Sequence, residues 1–187
     1  IAKKNWRAIA QSQGGSVVAV ASRRKDAAEQ FVKECSAHTP QRTGVDALGS
    51  YDELISRKDI DAVYIPLPTG VRKEWIIAAA KKGKHVLAEK PAALTAADLE
   101  EILDVCNKQG VQFMDGVMFM HSARLDSLRE VLLSPSQIGT LRRIACQFSF
   151  AGNDDFAKGN IRVNSELEPF GCLGDLGWYC IRFILWV

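Results

Sequence analysis

No apolar run in this sequence is long enough to cross a bilayer. A spanning helix needs about 18 consecutive apolar residues; the longest candidate, residues 180–187, is shorter and is interrupted by Arg182. There is no CxxC pair and no cluster of cysteine with histidine. The five cysteines, Cys35, Cys106, Cys146, Cys172 and Cys180, are odd in number and scattered. That argues against a disulfide framework and against a zinc module, and makes a reducing, cytoplasmic setting the expectation. His38, His85 and His121 have no ligand spacing, so no metal is expected. There is no excess of one charge: 24 Lys+Arg against 22 Asp+Glu leaves +2. That is too little for a general grip on nucleic acid or on a membrane surface. Internal repeats, low-complexity segments and a signal peptide are also lacking. The chain opens on Ile1 rather than Met and closes on the apolar Trp186-Val187, which leads to the expectation of a piece of a longer protein.

What is there reads as an ordinary globular protein, with 47% hydrophobic and 25% charged residues. Amphipathic helices are expected at residues 1–11, 25–36, 51–56, 71–82 and from Thr95, where Thr95 and Asp98 resemble a capping box. In the helix over 71–82, Val71, Trp75, Ala78 and Ala79 are expected to face inward, with Gly83 as its C-cap. Short β-branched runs lie between them at 16–21, 61–65, 85–88 and 111–114, with a turn or short strand at 44–50. Strands of this kind are buried on both faces. Their alternation with helices calls for α/β architecture: a doubly wound parallel sheet. The pattern changes near 115–120. A helix over 123–133 follows, and then Ile144, Cys146, Phe148 and Phe150 alternate with Ala145, Gln147 and Ser149. Period two predicts a strand with unlike faces, typical of an antiparallel sheet.

Ligands of doubly wound sheets bind outside the carboxyl ends of the strands. Three such ends are rich in chemistry. Ser22-Arg23-Arg24 follows the first run; serine and arginines there suit a phosphate, whereas an acidic residue would suit free ribose hydroxyls. The alternative is a solvated basic turn. Pro66-Leu67-Pro68-Thr69 is a stiff loop able to wall a pocket, or simply a turn with Thr69 as N-cap. Glu89-Lys90-Pro91 places Lys90 at the sheet mouth, where it could handle a hydroxyl proton, or be a plain exposed lysine. A fourth group, residues 171–179, puts Asp175 and Tyr179 at i, i+4. On one helix face they could grip a substrate hydroxyl; the alternative is a dipole-favoured acid and a core tyrosine.

The four groups in this order resemble the Gfo/Idh/MocA family of NAD(P)-dependent oxidoreductases, most strongly over 61–91 and 171–179. Tyr179 is similar to the dihydrodiol and D-xylose dehydrogenase branch, and residues 148–156 and 178–182 to a plant-type group within it. The resemblance implies a Rossmann domain over 1–118, lacking its first strand and glycine-rich loop. It implies the start of a mainly antiparallel α/β substrate domain over 119–187, which forms homodimers in the family. It implies Lys90 as catalytic lysine, Tyr179 as acid/base and Asp175 as the residue that positions substrate or Tyr179. Ser22, Arg23 and Arg24 would hold the adenosine phosphate of NADP, with NAD as the alternative cofactor. Ile1, Pro66, Leu67, Pro68, Thr69, Glu89, Lys90 and Pro91 would complete the cofactor site. Arg72, where His is common, and His121, where Arg is common, depart from the family. The implied reaction is hydride transfer between the nicotinamide and a small polyol, aldose or dihydrodiol. The rivals are an inactive dinucleotide- or partner-binding module and a sugar-phosphate binder using Arg23 and Arg24.

Overall fold

The computed structural model describes residues 1–187. The first half alternates helix and strand: α1 (Ala2–Gln11), β1 (Ala19–Ala21), α2 (Lys25–His38), β2 (Asp46–Leu48), α3 (Tyr51–Ser56), β3 (Ala62–Ile65), α4 (Thr69–Lys81), β4 (His85–Ala88), α5 (Ala96–Lys108) and β5 (Phe113–Asp115). Three of these helices have a chemical start or stop. The Ser50 hydroxyl caps α3 by accepting from the Glu53 amide. The Thr95 hydroxyl accepts the Asp98 amide at 3.1 Å and donates to its carboxylate at 2.8 Å, so the capping box at α5 forms. Gly83 follows α4 at φ 74°, a left-handed conformation that favours glycine.

The strands form two ladders. β1 and β2 are parallel, pairing Ala19 with Asp46 and Ala21 with Leu48; the other ladder has the order β3-β4-β5. In a dinucleotide-binding sheet the first strand lies between the second and the fourth. The single doubly wound sheet expected from the sequence, which the resemblance gives without that strand, is thus present as two separate ladders.

The chain divides into two compact units. One comprises Ile1–Pro66, Glu74–Leu87 and Ile102–Phe113; the other comprises Leu67–Lys73, Ala88–Glu101 and Met114–Val187. The first is held by apolar burial: Trp6, Ala28, Ile55, Val63, Ile65, Ile76, Ala79, Val86, Ile102 and Cys106 are all buried. Trp6 packs edge-on against Phe31 and donates its indole N–H to the Thr39 carbonyl at 2.7 Å. Lys84, although buried, places its ammonium on the carbonyls of Arg57 and Ile60.

α4 is rotated from its expected facing. Val71 is exposed, and the inner stripe is Arg72, Ile76, Ala79 and Ala80. The helix starts two residues earlier, at Thr69, and hydrogen bonds from the Arg72 guanidinium favour an inward side chain that patterning treats as outward.

The second unit is built differently. After β5 come a short 3₁₀ turn (Met118–His121), α6 (Arg124–Leu132), α7 (Pro135–Ile138), α8 (Phe156–Gly159), a second 3₁₀ turn (Ile161–Val163), a π-helical turn (Leu173–Gly177) and α9 (Trp178–Trp186). The strand expected over 144–150 does not form, and no antiparallel sheet follows residue 119. The alternation is real in the residues, but a strand exists only where a neighbour completes its ladder. Here Phe148 and Phe150 turn to other partners: Phe148 meets Tyr179 edge-on at 5.4 Å, and Phe150 meets Phe156 at 5.4 Å.

Candidate active site

Within the second unit, Lys90, Asp175 and Tyr179 come together. Lys90 follows the end of β4, and its peptide bond to Pro91 is cis. Its ammonium donates to Asp175 Oδ1 at 2.7 Å and to the Asp175 carbonyl at 2.6 Å. It also lies 4.7 Å from the centroid of the Tyr179 ring, a cation–π distance. The two charged side chains are only 9% and 13% exposed, so this is a desolvated ion pair rather than a surface one.

Asp175 and Tyr179 do not sit on an ordinary helix face. Asp175 lies in the π-helical turn and Tyr179 in the first turn of α9. Wider turns of this type re-aim side chains and recur at functional sites. A Cβ at Gly177 would stand 2.8 Å from Leu173 Cδ1, the tip of an exposed side chain that can move aside. The Tyr179 ring is flanked by Phe119 at 6.0 Å and by Phe148. Burial among these rings raises its phenol above the ordinary tyrosine value. The negative charges of Glu89 and Asp175 push it the same way, and Arg162 opposes them. Tyr179 is therefore protonated at neutral pH, a proton donor at rest. Next to it in sequence, the Trp178 indole N–H is buried with no acceptor, a costly state that a bound acceptor would relieve.

Three residues at the site escaped sequence reasoning. Arg72, 3% exposed, donates to the carbonyls of Leu67 (2.9 and 2.5 Å), Glu89 (2.6 Å) and Pro91. It ties the Pro66–Thr69 loop to the segment that carries Lys90. Glu168 accepts from both donors of Thr69, the amide at 3.2 Å and the hydroxyl at 2.7 Å. Beside it the Leu167 carbonyl accepts the Gly70 amide at 3.0 Å; a Cβ on Gly70 would lie 2.5 Å from the Glu166 carbonyl oxygen, so only glycine admits this approach. Finally, Arg162 Nε bonds to Asp175 Oδ2. Arg72 alone carried a hint, as a departure from the family's histidine; Glu168 and Arg162 lie in a stretch without periodicity.

The other expected positions are distributed as follows. Leu67 and Pro68 are half-buried, Thr69 and Pro91 buried, and Glu89 and Lys90 half-buried, all in the second unit; Pro66 is exposed and ends a segment of the first. Ser22, Arg23 and Arg24 follow β1 in the first unit, with the Ser22 amide bonded to the Leu48 carbonyl. Both arginines are exposed, and Arg24 makes only a loose 3.5 Å pair with Asp26, the two side chains 74% and 72% exposed. Such a pair holds little energy. This donor set fits a phosphate, and no carboxylate stands at Ser22 to take ribose hydroxyls. Ile1 is exposed at the start of α1.

A family model described as an oxidoreductase family with an NAD-binding Rossmann fold matches residues 1–117. The dTDP-3,4-didehydro-2,6-dideoxy-α-D-glucose 3-reductase of Saccharopolyspora spinosa is 39% identical over 168 residues, 89% of this chain and 46% of the relative. An NADP-dependent D-xylose 1-dehydrogenase of Haloferax volcanii is 32% identical over 174 residues, 91% and 49% of the two chains. Among solved structures, the 3-ketoreductase KijD10 of Actinomadura kijaniata, crystallised with TDP-benzene and NADP, superposes with a TM-score of 0.60 at 34% identity, covering 68% of this chain and 39% of that one. The chain thus spans about half the length of the curated relatives it matches. With nearly all of its alternating half covered by one family model, the chain belongs to the Gfo/Idh/MocA oxidoreductases, whose nucleotide-binding part is a Rossmann fold.

Proposed function

We propose that the protein is an NADP-dependent oxidoreductase acting on a carbinol or carbonyl carbon of a small polyol, aldose, dihydrodiol or related keto-sugar. The observation that carries this reading is the Lys90 ammonium held between the Asp175 carboxylate and the Tyr179 ring. The names of the relatives, a 3-reductase and a D-xylose dehydrogenase, support the substrate class. In this reading the nucleotide-binding part ends near residue 118, the protein works in the cytoplasm, and the complete protein is a homodimer.

Ser22, Arg23 and Arg24 would hold the adenosine phosphate, and the Pro66–Thr69 loop with Glu89 and Lys90 the nicotinamide side. Bound NADP(H) supplies the hydride carrier. The remaining chemistry belongs to the side chains. Tyr179, protonated at rest, gives its Oη proton to the carbonyl oxygen as that oxygen becomes a hydroxyl. The phenolate left behind is offset by the nearby ammonium. Lys90, fixed by Asp175 on two of its donors, contributes that field and keeps the third free for a substrate oxygen.

Tyr179→Phe and Lys90→Met are expected to lower turnover by about 10²–10⁴-fold, much more than they lower NADPH affinity, read by fluorescence titration. Unchanged turnover in both variants, or no NADPH binding, would sink the reading and favour a non-catalytic module. Arg23→Ala is expected to reduce the NADPH-over-NADH preference by about tenfold, the size of a well-made charged hydrogen bond; an unchanged ratio would withdraw the cofactor preference alone.

A further inference from the structure

Asp175 answers to two cations. Oδ1 receives Lys90, and Oδ2 receives Arg162 Nε. Arg162 reaches it from the turn Ile161–Val163, whose start is fixed by Asn160: its side-chain oxygen accepts the Arg162 amide at 3.1 Å and lies 3.4 Å from Nη1. The same stretch of chain is pinned a few residues later. Asn164 Oδ1 accepts the amides of Glu166 and Leu167 at 2.9 and 3.2 Å, and Glu168 and Leu167 then bind Thr69 and Gly70. Arg162 is thus presented by a backbone anchored on both sides.

Its placement has a charge consequence. Glu89 and Asp175 are the anions that face Tyr179, and Lys90 and Arg162 are the cations. Arg162 opposes the charges of those anions at a phenol that must become a phenolate. Exposure also separates the two cations: the Arg162 side chain is 41% exposed, while Lys90 and Asp175 are 9% and 13%. A carboxylate held on one oxygen alone is free to turn; held on both, it offers Lys90 a fixed partner.

We propose that Arg162 is a positioning residue: by holding Oδ2 of Asp175 it fixes the carboxylate that seats the Lys90 ammonium, and its charge offsets the anions beside the Tyr179 hydroxyl. The catalytic consequence rests on the oxidoreductase reading above; the seating of Lys90 does not. Two readouts keep them apart. The first is trace acetylation of lysines by acetic anhydride, resolved by peptide mass spectrometry, in the parent protein, R162Q and R162K. Lys90 is expected to label about fivefold faster in R162Q and near the parental rate in R162K. Lys84, a buried lysine bonded only to backbone carbonyls, is the internal control and should not change. The second readout is kinetic. R162Q is expected to lose about tenfold in kcat with KM for NADPH within about twofold, and R162K to recover most of that loss.

Unchanged Lys90 labelling in R162Q overturns the proposal. So does a parallel rise at Lys84, which would mean that the substitution merely loosens the protein. The expected labelling pattern in a protein without NADPH-dependent turnover overturns the oxidoreductase reading and leaves the role of Arg162 standing. Parental turnover with R162Q indistinguishable in both readouts does the reverse.

Discussion

The two compact units are held by different forces. In the first, apolar side chains are the internal contacts that matter: Ile76 and Ile102 are completely buried, and even the buried Lys84 serves to satisfy carbonyls at the edge of that core. In the second, no residue after Val117 is buried as a whole, although the Asp175 side chain and the Tyr179 ring are shielded. Leu133, Leu173 and Leu185 are 75%, 60% and 76% exposed. What organises this unit is polar: the Arg72 clamp, the Glu168–Thr69 bonds and the Lys90–Asp175–Arg162 chain. The difference teaches that position, more than stability, is what the second unit supplies. Hydrogen bonds and ion pairs are directional, so they place groups well while contributing modestly in net free energy.

That contrast can be broken or sharpened by substitution, beginning with the largest effect. Ile102→Ala in the first core is expected to cost about 4 kcal/mol by urea unfolding, within the range for cavities at fully buried sites. A cost under about 1 kcal/mol would mean that this core is looser than its burial implies. Arg72→Met in the second unit is expected to cost about 3 kcal/mol, because three carbonyls lose a charged donor at once. If it proved neutral, the polar clamp would be ornamental and the contrast false. Thr69→Val removes one of the two donors that hold Glu168 and the first-turn side chain of α4; about 1 kcal/mol is expected.

The alkaline limb is a finer probe. A phenol raised in the folded protein contributes stability that is complete below the unfolded tyrosine value near pH 10. That contribution is lost as pH rises through the folded value. Tyr179→Phe should therefore flatten the loss of stability above pH 10, and an unchanged slope would remove burial as the cause of the shift. Last, Leu185→Ala is expected to change stability by less than about 0.5 kcal/mol, as for any exposed position; a large cost would show that the apolar face of α9 is covered.

How much of this was legible beforehand follows the same division. The strands at 62–65 and 85–88 and the helices between them were readable because burial on a sheet imposes a local period and composition. Lys90 and Tyr179 were readable through the resemblance of EKP and the 171–179 stretch. Arg72 was not among the residues expected to face inward, because periodicity counts a guanidinium as polar and cannot see the carbonyls of Leu67, Glu89 and Pro91 waiting for it. The strand over 144–150 was misread because alternation describes a side-chain pattern, whereas a strand also needs a partner. Arg162 and Glu168 left no periodic trace, since each is defined by its bonds to a residue far along the chain.

The sequence by itself determined the alternating elements, their caps, the absence of a membrane-length apolar helix and the identity of the groups able to move a proton. These depend on neighbours within a few residues, where propensity and side-chain period act. Only the tertiary structure decided that Lys90 meets Asp175 across 85 positions and that Glu168 meets Thr69 across 99. Contacts over such separations are selected by the fold as a whole, because the directional bonds that hold them form only after the chain has brought their ends together.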